Sequence, residues 1–446
     1  MRFLYTAFWW LLLPVVFVRL ALRARRQPEY LQHLGERFGF YPYAAPSTVP
    51  PLQSSPLKGG GDKGERQSLI PPVIWLHAVS VGETRATVSL VAKLRAAYPN
   101  HQILLTHTTP TGRATSEQLY GQDVLRVYLP YDYPFAVRRF LRHFRPDLGI
   151  LMETEIWFNL IHEGAAAGVP MLLLNARLSE KSAKGYARVA RLTRSALGKL
   201  TAVAAQTPDD ATRLTQLGAQ SVSVMGNLKF DIVPPPAMLE LGLLLRQQFG
   251  EARKVLLAAS TREGEEALLL DAFQAGRNGT LLVIVPRHPQ RFDEIAAMLV
   301  RRGLRYQRRS ENSDVLAEIQ VVLGDSMGEM FAYYAASDLA YIGGSLLPFG
   351  GQNLIEACSV GTPVLIGPHT FNFADATKLA VAAGAAVRVN DAMALFQMAG
   401  ELLNDPSALA EMGEQGRHFV ASHQGATDKA MSVIVRTLKG RESEND

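Results

Sequence analysis

Apolar residues open the chain almost without interruption. No charge occurs from Phe3 to Val18, and Leu20, Ala21 and Leu22 carry the run past Arg19. A helical bilayer span needs about 17–25 apolar residues, so this is a marginal span, closed by Arg19, Arg23, Arg25 and Arg26. A secretory signal carries its positive charge first and ends at a small-residue cleavage site; neither fits. The order of charge predicts an N-terminal membrane anchor over residues 1–26, with everything after it cytoplasmic, and a juxtamembrane segment over 27–43. Trp9, Trp10 and Pro14 suit a short tilted span and a helix lying in the interface alike. Residues 44–72 hold six Pro, four Gly, four Ser and no aromatic. That composition predicts a flexible linker that isolates the anchor from the body.

After Pro72 short apolar runs alternate with longer amphipathic stretches such as Glu83–Ala97 and Pro134–Phe144. The strands expected are Val73–His77, Ile103–Thr106, Leu125–Leu129, Leu148–Met152, Met171–Leu174, Ala202–Gln206 and Val222–Met225. The alternation halts at Val233-Pro234-Pro235-Pro236. It restarts with Val255–Ala259, Leu281–Val285, Val321–Leu323, Leu339–Ile342 and Val364–Ile366. Continuously apolar strands with helical crossovers mean parallel sheets covered on both faces. Two doubly wound α/β domains follow, 73–236 and 237–446. A ligand belongs at the carboxyl ends of their strands, in the cleft between them.

Composition narrows the classes. With 48% hydrophobic and 20% charged residues among 446, the chain buries enough to fold. A single cysteine, Cys358, excludes a disulfide framework and a Cys-rich metal site. A net charge of +5 over this length is too dilute to imply nucleic-acid binding. No G-x-G-x-x-G fingerprint follows the first strand of either domain and no P-loop motif occurs. No D-x-D pair sits at a strand end, and His77, His101, His107, His143, His162, His288 and His369 show no i, i+4 ligand spacing.

The residues after each strand carry the chemistry. In the second half they are Ser260-Thr261-Arg262, Pro286-Arg287-His288-Pro289, Gly324-Asp325-Ser326-Met327-Gly328-Glu329 and Gly343-Gly344-Ser345, and then Phe349-Gly350-Gly351-Gln352-Asn353-Leu354-Ile355-Glu356. Small and hydroxyl residues opening helices, with Arg287 and His288 beside them, suit a phosphate. Asn353 and Glu356, three apart, suit ribose hydroxyls. In the first half His77-Ala78-Val79-Ser80-Val81-Gly82-Glu83 turns at Gly82 and sets Glu83 at a helix start, where a carboxylate can act as general base. Met152-Glu153-Thr154-Glu155 ends another strand with acids, which also fit a helix cap. Lys229, in Gly-Asn-Leu-Lys-Phe-Asp, offers a cation to a leaving phosphate or a sugar carboxylate. Lys181, Lys184, Arg188 and Arg191 form one helical stripe that fits a solvated face and an anionic-lipid contact equally.

The runs WLHAVSVGET, THTTPTG, YLPYD, METEIW, NARLS, GNLKFD, VPRHPQRF, GDSMGEM and YIGGSLLPFGGQNLIE resemble those of bacterial 3-deoxy-D-manno-octulosonic acid (Kdo) transferases, in order and over nearly the whole chain outside the linker. The resemblance implies a GT-B glycosyltransferase, two Rossmann-like domains facing a cleft. It also implies inverting transfer of Kdo from CMP-Kdo to the lipid A precursor (lipid IVA) at the cytoplasmic face of the inner membrane, with no metal or cofactor and no nucleic-acid partner. By motif, Glu83 corresponds to the proton acceptor, and Glu153 and Lys229 to transition-state stabilisers. Arg287-His288, Met327-Gly328-Glu329 and Asn353-Leu354-Ile355-Glu356 correspond to CMP-binding segments. Phe158 and Ala357 stand where the family commonly has proline, and the linker is longer than usual. A membrane-associated GT-B enzyme using a UDP-sugar shares the architecture and differs only in these motifs.

Overall fold

The computed structural model describes residues 1–25, 27–42, 71–276 and 279–445, so the expected linker, apart from Pro71 and Pro72, lies outside the described residues. The chain forms two units: Met1–Asp231 with Gly425 onward, and Ile232–Gln424. The last helix, Ala426–Asn445, therefore belongs to the first unit, against the expectation of a second domain running to 446. The reason is burial. Ala426, Ala430, Ile434 and Leu438 complete a core formed with Leu174, Met225 and Leu228. The boundary also falls earlier than residue 236, because the carboxylate of Asp231 accepts the backbone N–H groups of Gly425 (2.7 Å) and Thr427.

Seven strands build the sheet of the first unit: β1 (Val73–His77), β2 (Gln102–His107), β3 (Leu125–Tyr128), β4 (Leu148–Met152), β5 (Met171–Ala176), β6 (Ala202–Ala205) and β7 (Val222–Val224). All pair in parallel, in the order β3-β2-β1-β4-β5-β6-β7. Every residue of β1 and β4 is buried, as an unbroken apolar run covered on both faces requires. The direction of winding reverses between β1 and β4, and the loops after these two strands open at the switch point where doubly wound folds bind ligands.

The second unit repeats the plan with β8 (Val255–Thr261), β9 (Leu281–Pro286), β10 (Tyr306–Arg308), β11 (Val321–Leu323), β12 (Leu339–Ile342), β13 (Val364–Ile366) and β14 (Ala386–Arg388), ordered β10-β11-β9-β8-β12-β13-β14. Edge strands β10 and β14 are absent from the sequence reading, because three residues with a charged end make no apolar run.

The apolar N-terminal run is not one helix. It forms α1 (Arg2–Leu11) and α2 (Leu13–Ala24), bent by 49°. Pro14, in the first turn of α2, lacks the N–H that would continue the ladder from α1. No single helix among the described residues is long and apolar enough to cross a membrane, though the bent pair passes that test by length and composition. Nor is α1 isolated from the body. The Tyr5 hydroxyl donates to Asp132 (2.7 Å), and Arg2 donates to Asn159 (3.0 Å) and pairs with Glu163. Phe158 packs edge-on against Tyr5 at 5.0 Å. The expected helix over 83–97 also divides, into α3 (Val81–Ala86) and α4 (Val88–Ala97), where the Thr87 hydroxyl bonds the Thr84 carbonyl (2.7 Å). The crossovers that matter below are α5 (Pro110–Tyr120), α6 (Pro134–Phe144) and α7 (Phe158–Ala166).

Candidate active site

In the first unit the loops after β1 and β4 meet over five side chains: Glu83, Glu153, Glu155, Lys229 and His77. Ser80, not Gly82, makes the turn: it caps α3 in extended backbone, and Gly82 lies inside the helix. The Ser80 hydroxyl donates to one oxygen of Glu83 (2.9 Å) and the Val79 N–H to the other (2.9 Å). Both bonds favour the carboxylate. Burial outweighs them, and with the charge of Glu153 it pushes Glu83 up to about 7, from an ordinary 4.5. A carboxyl poised there can accept a proton at neutral pH.

Glu153, the residue after β4, lies in the left-handed region at φ 56°, unusual for a residue with a side chain. It is no helix cap. One of its oxygens lies 3.3 Å from the Lys229 ammonium, in a pair about one-fifth exposed on each side. Lys229 sits on a turn, Leu228–Phe230, capped by the Asn227 side chain. The same turn is tied to the sheet by Asn175, a buried residue of β5 also at positive φ (53°), whose side-chain oxygen accepts the Leu228 N–H (3.1 Å). Glu155 adds a third acid. It accepts from the Trp157 indole, lies 3.8 Å from His77, and is raised by burial and then by Glu153. His77 is buried and pushed down to about 3 by desolvation and by His107, so it is neutral. Three carboxyls, one lysine and a neutral histidine thus share the switch point.

In the second unit the loops after β8, β9 and β12 converge. Arg262 lies 4.6 Å over the ring of Phe349. His288 has its pKa lowered by partial burial and by Arg262, Arg287 and Arg291 around it. A neutral histidine inside three guanidiniums suits an anionic ligand. Glu265, fully buried, holds these loops in register: it accepts the N–H groups of Arg262 (2.9 Å), Gly344 (2.6 Å) and Leu346 (3.1 Å), and the Tyr341 hydroxyl (2.6 Å). Gly343 is obligatory beside it, since a Cβ there would stand 2.4 Å from the Ser260 carbonyl oxygen. Gly350 and Gly351 both have positive φ and make the expected turn.

The remaining predicted positions divide. Asn353 donates to Glu356 (3.1 Å) and caps Ile355 (3.1 Å), so the helix starts at Ile355, later than expected. Leu354 and Ile355 are fully buried and can offer a ligand only backbone. Met327 is exposed, Gly328 has φ 84°, and Glu329 accepts from Ser326 (2.6 Å) with Arg309 at 3.4 Å. Sequence reading missed Asn175, Glu265 and Arg309. Asn175 announced itself only as a polar residue ending an apolar run, and Glu265 as one of two ordinary acids after Gly264.

Comparison with known proteins places the chain. Residues 32–232 match the family model described as 3-Deoxy-D-manno-octulosonic-acid transferase (kdotransferase), and residues 300–419 that of Glycosyl transferases group 1. The 3-deoxy-D-manno-octulosonic acid transferase of Bordetella pertussis is 48% identical over 374 residues, 81% of this chain and 86% of its own. That of Haemophilus influenzae is 34% identical over 439 residues, 97% and 98% of the two chains. Among solved structures, Anabaena HepE in complex with UDP aligns with a TM-score of 0.55 at 16% identity, over 83% of this chain and 100% of that one. That likeness bears on the fold alone, which is of the GT-B type.

Proposed function

This chain belongs to the 3-deoxy-D-manno-octulosonic acid transferase family and is a glycosyltransferase of lipopolysaccharide biosynthesis, and from that premise we propose how its residues move Kdo from CMP-Kdo to the lipid A precursor. An acceptor hydroxyl gives its proton to Glu83 while its oxygen bonds to the anomeric carbon of Kdo. The bond from that carbon to the phosphate oxygen breaks, and CMP leaves with the electron pair. A single displacement inverts the anomeric centre and needs no covalent enzyme intermediate.

The other side chains serve charge and position. Lys229, held by Glu153 (3.3 Å), faces the negative charge of the Kdo carboxylate or the departing phosphate. Glu153 also helps keep the pKa of Glu83 high. In the second unit Arg287 with Arg262 and the neutral His288 receive the phosphate, and Asn353 with Glu356 the ribose. Met327-Gly328-Glu329 completes the nucleotide site. Those guanidiniums supply the positive charge that a divalent ion supplies in other glycosyltransferases, so the reading needs no metal and no cofactor. The N-terminal helices attach the enzyme to the inner membrane, where the acceptor lipid resides.

The observation that carries the assignment is the carboxyl of Glu83 near 7 beside the Glu153–Lys229 pair. The test is incubation with CMP-Kdo and lipid IVA, the product weighed by mass spectrometry, with CMP and UDP compared as competitors. Addition of Kdo inhibited by CMP is the expected result. Lack of product, with UDP displacing a bound nucleotide, would reject the donor.

A further inference from the structure

The apolar N-terminal run has two faces with different fates. Arg2, Tyr5, Thr6 and Trp9, at i, i+3, i+4 and i+7 of α1, face the first unit. Arg2 pairs with Glu163, the Tyr5 hydroxyl donates to Asp132 (2.7 Å), and the Thr6 hydroxyl donates to Asn159 (3.2 Å). The carbonyl of Trp9 accepts from the Tyr133 hydroxyl (2.8 Å), and its ring packs against Tyr133 at 6.0 Å. Asp132, Asn159 and Glu163 are all buried. Both ends of α1 are therefore held to one surface of the catalytic body. On the opposite face Phe3, Leu4, Phe8 and Leu11 are exposed, and Val15, Val18 and Leu22 continue that apolar surface along α2.

Neither helix alone is long enough to cross a bilayer. At 1.5 Å per residue the ten residues of α1 reach about 15 Å and the twelve of α2 about 18 Å, each roughly half of a hydrocarbon core of about 30 Å. Bent by 49°, the two together still reach about 30 Å end to end, so a crossing is opposed by docking rather than by length. It would need α1 to leave the body, taking donors from Asp132 and Glu163. On its side α2 is fixed by the stacking of Phe17 on Phe38 (5.7 Å) and by the burial of Leu20.

Resting on the proposed membrane attachment, we infer that the bent α1–α2 pair lies in the interface of one leaflet and does not cross the bilayer. The partner is an anionic lipid surface. Arg19 and Arg23 of α2 and Arg25 just after it are exposed, and none pairs with a carboxylate among the described residues. Arg142 and Arg145 are exposed on and just after α6, whose Phe135 stacks on Trp10 at 5.5 Å. An apolar stripe flanked by arginines, with a half-exposed tryptophan at its edge, is the pattern of an in-plane helix. A spanning anchor would put Arg2 on the far side of the membrane from Glu163; an in-plane pair keeps them together.

The test uses the full chain in its native membrane with an epitope fused before Met1, exposed to protease in intact spheroplasts and in inverted vesicles. The epitope is expected to survive in spheroplasts and to be lost in inverted vesicles, with the chain sedimenting with membranes in both. Loss of the epitope in intact spheroplasts, while the chain stays membrane-bound, would overturn the in-plane arrangement alone. A chain that fails to sediment with membranes would overturn the attachment and this inference together.

Discussion

Replacing Glu83 by glutamine is expected to make the protein more stable and almost inactive. The carboxyl ionises near 7 in the folded chain against an ordinary 4.5. At about 1.36 kcal/mol per pKa unit, ionising it in place costs about 3 kcal/mol. The unfolded chain releases this proton first, so stability falls as pH rises from about 4.5 to about 7 and stays low above that. Glutamine has no proton to lose. The variant should therefore gain little at pH 5 and about 2–3 kcal/mol at pH 8, the lower figure if the amide satisfies only one of the Val79 and Ser80 donors. Urea unfolding of both proteins at the two pH values reads this directly. Turnover should drop about 10²–10⁴-fold with CMP affinity kept, and wild-type kcat/KM should rise through an acid limb near 7. A variant no more stable than wild type at pH 8, or equally shifted at both pH values, would refute a desolvated Glu83. Near wild-type turnover would refute the base.

Asn175→Ala should lower both stability and turnover, because it orphans the Leu228 N–H and puts a Cβ residue without a side-chain partner at φ 53°; Asn175→Gly, free of the φ strain, should recover part of the stability as read by thermal melting. Arg287→Ala and Glu356→Ala should each weaken CMP about 10- to 150-fold in titration calorimetry, the span of a hydrogen bond to a charged group; unchanged affinity for both would move the nucleotide elsewhere. Transfer should persist in excess chelator, and loss reversed by magnesium would refute metal independence. Deleting residues 1–22 should lower the melting temperature and cut turnover on water-soluble and membrane acceptors alike, since Asp132, Asn159 and Glu163 lose partners; normal turnover on the soluble acceptor would make α1 a mere tether.

How far the sequence foretells this molecule depends on how far apart the interacting residues lie. Strands such as β1 and β4 are legible because burial on both faces demands an unbroken apolar run, and the acids in the loops or helix starts that follow them, Glu83 and Glu153, stand out by position. The edge strands β10 and β14 carry no such run. Asn175 bonds a residue 53 positions away and Glu265 one 79 positions away, so their purpose emerges only when the strands are laid side by side. Docking of α1 is hidden for the same reason, since Tyr5 meets Asp132 across 127 positions. Its one trace was the helical spacing of Arg2, Tyr5 and Thr6 inside an otherwise greasy segment.

The return of the final helix to the first unit bears on how the protein is made. A ribosome delivers every strand of the first sheet, then the whole of residues 232–424, and only then Ala426, Ala430, Ile434 and Leu438. Until that moment the apolar surface around Met225 and Leu228 lacks its cover. The later-synthesised unit can thus reach its native state while the earlier one is still open along one side. Nascent chains should accordingly present that side to chaperones, and a stop codon shortly before residue 425 should yield a sound second unit attached to a sticky, incomplete first one.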